Sequence, residues 1–161
     1  MAFDASRVIN GSYGEVYIDG QWETNFNHLE ANVEIQKAEI RPSGDRWVHH
    51  KVIGLRGTGT ISGFKVTSRL IQLNSDIRDN TKGAVKTEIV SKLADPEAWG
   101  YERIRLKGVM FDRISLANWT AGEVVNEEWP FTFEDFELID AITEGGGGGG
   151  GFTPPGGWEI V

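Results

Sequence analysis

Gly54-Leu55-Arg56-Gly57-Thr58-Gly59-Thr60-Ile61-Ser62-Gly63-Phe64-Lys65-Val66-Thr67-Ser68-Arg69 is the stretch on which the reading of the fold turns. Its first part alternates small and polar residues in the manner of a strand, and Thr67-Ser68 is a good N-cap pair for a helix to follow. Glycines 54, 57, 59 and 63 fall within ten residues. Such a density weakens a strand unless another backbone or a ligand must come close. A phosphate loop is the first possibility to test. Gly57-Thr58-Gly59 opens a GxGxx pattern, but Ser62 stands where the third glycine belongs and Gly63 comes one place late. Phe64 separates Gly63 from Lys65, so there is no contiguous Gly-Lys-Ser/Thr either. Both phosphate motifs also need their glycines between strand and helix, not inside an alternating strand. The glycines therefore read as structural. Gly57 and Gly59 mark places where a neighbouring strand or subunit approaches closely, with Thr58 and Thr60 on the opposite face.

Outward from this stretch, the pattern is mostly β. Tyr13 to Ile18 reads as a strand closed by an Asp19-Gly20 hairpin turn, with Gln21 to Phe26 beginning the return. Leu29, Ala31, Val33 and Ile35 alternate with polar residues, and the phase slips at Gln36-Lys37, which predicts a bulge there. Arg41-Pro42-Ser43-Gly44-Asp45-Arg46 is rich in turn formers, and Trp47 to Ile53 leads into the opening strand, making a long hairpin with a projecting tip. On the far side, Val66, Leu70, Leu73 and Ile77 share one face of a helix expected to end near Asn80. Further strands are expected over Lys86–Leu93, Arg103–Phe111, Ile114–Trp119 and Val124–Leu138, with Gly108 at a phase change. In the last of these, Glu127 interrupts an apolar face, and Pro130 suggests an edge or bulge. The expected architecture is mainly β: two packed antiparallel sheets with one flanking α-helix. Residues 1–143 form one domain and residues 144–161 a flexible Gly-rich tail, since a run of seven glycines at 145–151 cannot order alone. The closing Trp158-Glu159-Ile160-Val161 could dock as a short strand or be unrelated to the fold.

The composition of 161 residues, 39% hydrophobic and 25% charged, is that of an ordinary globular chain. No apolar run approaches a bilayer span, and Met1 to Arg7 lacks the basic and apolar regions of a signal peptide. There is no cysteine, so disulfides and thiolate metal sites are unavailable and synthesis in a cytosol is expected. The net charge of -8 is uneven: Asp112 to Glu144 holds nine acids against Arg113, while residues 1–111 are near neutral. That balance argues against a duplex-binding surface.

No chemistry-bearing constellation survives inspection. His28, His49 and His50 are the only histidines, and the adjacent pair would point to opposite faces of a strand, so no metal site is expected. Glu134, Asp135 and Glu137 could be imagined as an acid/base pair, but nothing nearby supplies a nucleophile, a base and an orienting group. No enzyme activity and no cofactor are expected. Six tryptophans would allow a carbohydrate-binding surface, yet spread so widely they read better as core or subunit-interface anchors.

Five stretches, taken in order, carry a family likeness: Asn10 to Gly20; Gly57-Thr58-Gly59-Thr60 with Lys65-Val66-Thr67-Ser68; Asp95-Pro96 with Trp99 to Ile104; Leu106-Lys107-Gly108-Val109; and Pro130 to Phe136. Together they span about residues 8–140, and the chain resembles the contractile phage tail-tube proteins of the PBSX-like family, which includes the tubes of phage-tail-like bacteriocins. The resemblance implies a β-sandwich that contributes strands to a sixfold inner β-barrel, whose rings stack into a hollow tube. Sheath, baseplate and tape-measure proteins are the implied partners, with DNA passing through the bore without specific binding and no membrane anchoring. The implied location is the virion tail or bacteriocin particle, assembled in the bacterial host cytoplasm. On this reading Arg41, Pro42, Asp45, Arg46, Trp47 and His49 of the projecting hairpin, with Gly57 and Gly59, are the candidate subunit or ring interface. Acidity within residues 112–144 is expected to face the bore or the stacking seam. The other reading is a monomeric β-sandwich binding module, recognising carbohydrate in a baseplate or cell-surface setting.

Overall fold

The computed structural model describes residues 2–145; the Gly-rich tail expected from residue 144 lies almost wholly outside them. Eight strands are present: β1 (Gly14–Ile18), β2 (Gln21–Trp22), β3 (Phe26–Ile40), β4 (His49–Phe64), β5 (Thr87–Leu93), β6 (Glu102–Phe111), β7 (Asn126–Phe133) and β8 (Asp135–Asp140). All pair antiparallel, in the spatial order β2-β1-β5-β6-β7-β4-β3, with β8 also beside β6. The mainly β expectation holds. The two sheets are continuous through β6, so they form one sheet folded over a shared core.

β6 joins the halves because it changes partner along its length. Arg103 to Lys107 pair with β8, whereas Met110 and Phe111 pair with β7. The switch falls at Gly108, whose φ of +64° is open to glycine at little cost. A Cβ there would also meet the Glu134 side chain, which stands between β7 and β8. The phase change read in the sequence is thus a bulge at which one strand passes from one ladder to the next.

β1 and β2 are joined by Asp19 (φ 51°) and Gly20 (φ 83°), the left-handed pair that a two-residue hairpin favours. The Asp19 carboxylate accepts from the Glu88 amide at 3.1 Å and from the Thr87 hydroxyl, which ties the turn to β5. The bulge expected at Gln36-Lys37 is present. Gln36 pairs with Gly54 and Lys37 with Val52, so the unopposed residue is Ile53, on the facing strand.

Three expectations need correction. Val124–Leu138 is not one strand: at Glu134, whose amide donates to the Lys107 carbonyl at 2.9 Å, it breaks into β7, paired with β4, and β8, paired with β6. Ile114–Trp119 is not a strand: residues 112–125 run as a loop from β6 to β7. The reason is Pro130. Its carbonyl accepts from the Asp112 amide at 2.9 Å, but it has no N–H to return, and the β6–β7 ladder ends there. The proline therefore sits beside β4 on one flank and at the end of a ladder on the other. The expected helix to Asn80 is only α1 (Arg69–Asn74), followed by a 3-10 turn over Ser75–Arg78. Val66 and Ile77, assigned to its buried face, are 71% and 58% exposed. Asn74 Nδ2 donates back to the Leu70 carbonyl at 2.9 Å and Ser75 Oγ to that of Ile71 at 2.5 Å, local bonds that compete with continued α-helix. Ser68 caps without a side-chain bond. Leu70 is buried, and Arg69 is ion-paired with the buried Glu23, so tertiary contacts hold this short helix.

The core draws on both halves of the sheet. Val16, Ile18, Ile89, Leu106 and Val109 meet Ile61, Trp129, Phe131 and Phe133, with Leu70 from the helix. Each fully buried side chain of this size contributes about 1.5–3 kcal/mol. Glu127 shares the buried face of β7 because its carboxylate accepts from Trp129 Nε1 at 2.6 Å. A buried acid with a partner replaces what the sequence suggested was an interruption.

Candidate assembly interface

β3 and β4 form one hairpin with two environments. Nearest its base, Gly57 to Phe64 of β4 pair with β7 on one side and with β3 on the other. Gly57 and Gly59 lie opposite Phe133 and Phe131, and a Cβ on either glycine would fall within 2.5 Å of a ring carbon. The close approach that the glycines permit is therefore made by two aromatic rings of the same chain. Gly59 also passes the Glu30 carbonyl, a backbone group that cannot be rotated aside.

Beyond Gly57 the hairpin leaves the body. β7 ends at Phe133, so among the described residues β4 from His49 to Arg56 pairs only with β3. Ile35, Val52, Ile53 and Leu55 are all exposed here, Leu55 at 68%. β8 turns toward β6, exposing Phe136 and Leu138. Between them opens a cleft of about 710 Å³, whose walls include Val33, Leu55, Phe133 and Phe136. Long unpaired strand edges flanked by apolar side chains are a template for pairing with another chain.

The hairpin tip carries most of the candidate residues singled out in the sequence. Ile40 pairs with His49, and Arg41 to Val48 form the exposed turn between them. Asp45 organises this turn: Oδ1 accepts from the Trp47 amide at 2.9 Å, and Oδ2 lies 2.8 Å from His49 Nε2. The bond from His49 and then that from Trp47 hold the Asp45 carboxyl below the usual aspartate range. His49 thus finds its partner on its own hairpin. Trp47 is 80% exposed, and Arg41 stands 3.6 Å from Glu39. The tip residues Arg41, Pro42, Asp45, Arg46, Trp47 and His49 are brought together, while Gly57 and Gly59 lie farther down the hairpin against the core.

Part of the acidic segment is ion-paired within the chain. Asp140 pairs with Arg103 at 2.5 Å, Glu137 with Arg105 at 3.3 Å, Glu134 with Lys86 at 3.1 Å and Glu128 with Arg113 at 3.2 Å. The bases that answer these acids come mostly from β6 and the segment before β5, while Asp112, Glu123 and Asp135 have no ion-pair partner among the described residues. Of the carboxylates imagined as an acid/base pair, Glu134 and Glu137 are among the ion-paired ones.

Among the described residues the tryptophans do not converge on one platform. Trp129 is buried, Trp22 lies beside Tyr17 on the first hairpin, Trp47 is at the tip and Trp119 is on the 112–125 loop. Leu116, Trp119 and Val124 are also exposed; the sequence reading places the first two in an expected strand over Ile114–Trp119 and Val124 at the head of the strand expected to Leu138.

The described residues thus present strand edges without a partner, an organised projecting tip and dispersed tryptophans. The comparisons agree in class. A family model described as "Phage tail tube protein" matches residues 1–140. The "Phage-like element PBSX protein XkdM" of Bacillus subtilis (strain 168) is 35% identical over 147 residues, covering 89% of this chain and 99% of the relative. Among solved structures, the anti-feeding prophage tube-terminating cap superposes with a TM-score of 0.68 at 11% identity, over 88% of this chain and 95% of that one. The chain of an extracellular contractile injection system sheath-tube complex gives 0.65 at 11% identity, over 81% and 90%. The last two show the shared fold. The chain belongs to the phage tail tube family, a structural family and not one of enzymes.

Proposed function

We propose that this chain builds the hollow inner tube of a contractile phage tail or phage-tail-like particle, as stacked hexameric rings that serve as a conduit for DNA or for envelope puncture. The observation that carries the reading is the bare distal half of the β3–β4 hairpin together with the free edge of β8. Ring closure pairs such edges between subunits and covers Ile35, Leu55, Phe136 and Leu138, which are exposed in the single chain. A ring leaves two different faces, and stacking one on the other is a heterologous contact that continues indefinitely. The tip residues Arg41, Pro42, Asp45, Arg46, Trp47 and His49 form the arm that reaches the adjoining ring, while Gly57 and Gly59 set its root by letting β4 lie close to β7. The relatives in sheath-tube and baseplate assemblies support sheath and baseplate proteins as outer and terminal partners. A tape-measure protein fits the bore, and the location follows as the virion tail, assembled in the host cytoplasm.

Negative-stain microscopy of the purified chain tests this directly. Rings of six or tubes are expected as concentration rises. A monodisperse monomer at millimolar concentration, with no rings when tail extract is added, overturns it.

A further inference from the structure

Besides the tip, the hairpin has a second pole. β4 ends at Phe64, which pairs with Asn126 at the start of β7, and Lys65 N donates to the Val125 carbonyl at 2.9 Å. The 112–125 loop therefore lies at the root of the hairpin, with the tip at the opposite end of β4. Sixteen residues of strand separate the two poles by roughly 50 Å.

Each pole presents one prominent tryptophan and an excess of charge, and the excesses differ in sign. At the tip, Trp47 is 80% exposed. Lys37, Arg41, Arg46 and Lys51 outnumber Glu39 and Asp45 there, with His49 and His50 alongside. On the loop that starts from the root, Trp119 is 72% exposed, and Leu116 and Val124 are exposed on the same loop. Exposed Asp112, Glu123 and Glu128 outnumber Arg113 and the half-buried Lys65. Neither Asp112 nor Glu123 has an ion-pair partner among the described residues, and neither do Arg46 and Lys51.

We infer that the tip of one copy docks on the 112–125 loop of the next, Trp47 against the apolar surface of Leu116, Trp119 and Val124, with Arg41 and Arg46 facing Asp112 and Glu123. This rests on the stacked-ring reading and names the receiving surface within it. A second copy is the occupant because the two surfaces lie at opposite ends of one hairpin. Translating the molecule along that hairpin brings the basic pole to the acidic pole, and the operation can repeat without closing. Exposed tryptophan and arginine are the residue types that most often dominate association energy. Asp45 acts here as a positioning residue, since its bonds to the Trp47 amide and His49 set how the indole is offered.

The absence of native cysteine makes a crosslinking test clean. A W47C chain and a W119C chain are purified, mixed under assembly conditions and oxidised. A linked pair containing one of each chain is expected, and a W47C/W119C double variant should yield a ladder of oligomers. Tubes visible by microscopy with neither product would overturn the inference while leaving the tube reading intact. A wild-type chain that gives no rings overturns that reading and the inference with it. Charge reversal supplies an independent arm in case cysteine at these sites disturbs assembly. An R41E/R46E chain should form rings but at least tenfold fewer tubes, and mixing it with a D112K/E123K chain should restore contacts between unlike chains. Undiminished tubes from R41E/R46E alone, or no recovery on mixing, count against the docking.

Discussion

The two halves of the β3–β4 hairpin are built from the same strand pair and face different surroundings. In the root half, Gly57 and Gly59 exist to admit Phe133 and Phe131, and Ile61 is fully buried. In the distal half, Ile35, Val52, Ile53 and Leu55 are at least as apolar but exposed, Leu55 on the wall of the open cleft. Alternation within a strand therefore marks a capacity for burial, and what realises it is a neighbouring strand. In the root half that neighbour is β7; in the distal half none is found among the described residues.

Substitutions along the hairpin and its neighbour should separate the two halves. Trp129→Ala, opposite Ile61, should cost about 3–5 kcal/mol in denaturant unfolding, because it opens a cavity and removes the donor to buried Glu127. A loss under 1 kcal/mol would mean that the root is not the stabilising half. Gly59→Val comes next, at about 1–3 kcal/mol, since its Cβ would strike both the Glu30 carbonyl and the Phe131 ring. The control is Gly54→Ala in the distal half, where the added methyl meets only the mobile end of Gln36 and monomer stability should move by no more than about 0.5 kcal/mol. Leu55→Ser should likewise leave the unfolding midpoint of the monomer nearly unchanged, yet abolish rings in the microscope. Rings that survive it would show that the distal edge is not an assembly surface.

The smallest effect concerns the tip. Asp45 has its carboxyl held below the ordinary value of 3.8, so its clasp contributes order above that pH and loses it as pH falls through the lowered value. The Trp47 amide resonance should therefore titrate with a midpoint below 3.8, and Asp45→Asn should remove that transition. A midpoint at or above 3.8 would show that the clasp is not formed in solution.

Much of this was readable from residue order. The Asp19-Gly20 turn, the slip at Gln36-Lys37 and the phase change at Gly108 are local features whose chemistry points to one backbone geometry each. The short helix was not readable, because the bonds from Asn74 and Ser75 to their own turn decide its end while the apolar spacing runs on through Ile77. Nor was the loop after β6, because it depends on Pro130 lying opposite Asp112, a pairing formed only in the fold. The tip residues were found from turn formers and a projecting hairpin, but the exposure of Trp119 was hidden by an expected strand that the fold does not form. Within the acidic run, the pairing of Asp140 and Glu137 was equally hidden, since their bases Arg103 and Arg105 lie across strands and not along the chain.

Continuity through β6 also has a mechanical meaning. One unbroken backbone takes part in the ladder with β5 and β8 and then in the ladder with β7. A pull applied along the β3–β4 hairpin enters β7 as shear across many hydrogen bonds at once and passes to β6 without crossing a flexible connection. The far half of the sheet then shares the load. The two-pair junction of Met110 and Phe111 with β7 does not carry that load alone, because Glu134 joins β7 directly to β8, which pairs with Arg103 to Lys107 of β6.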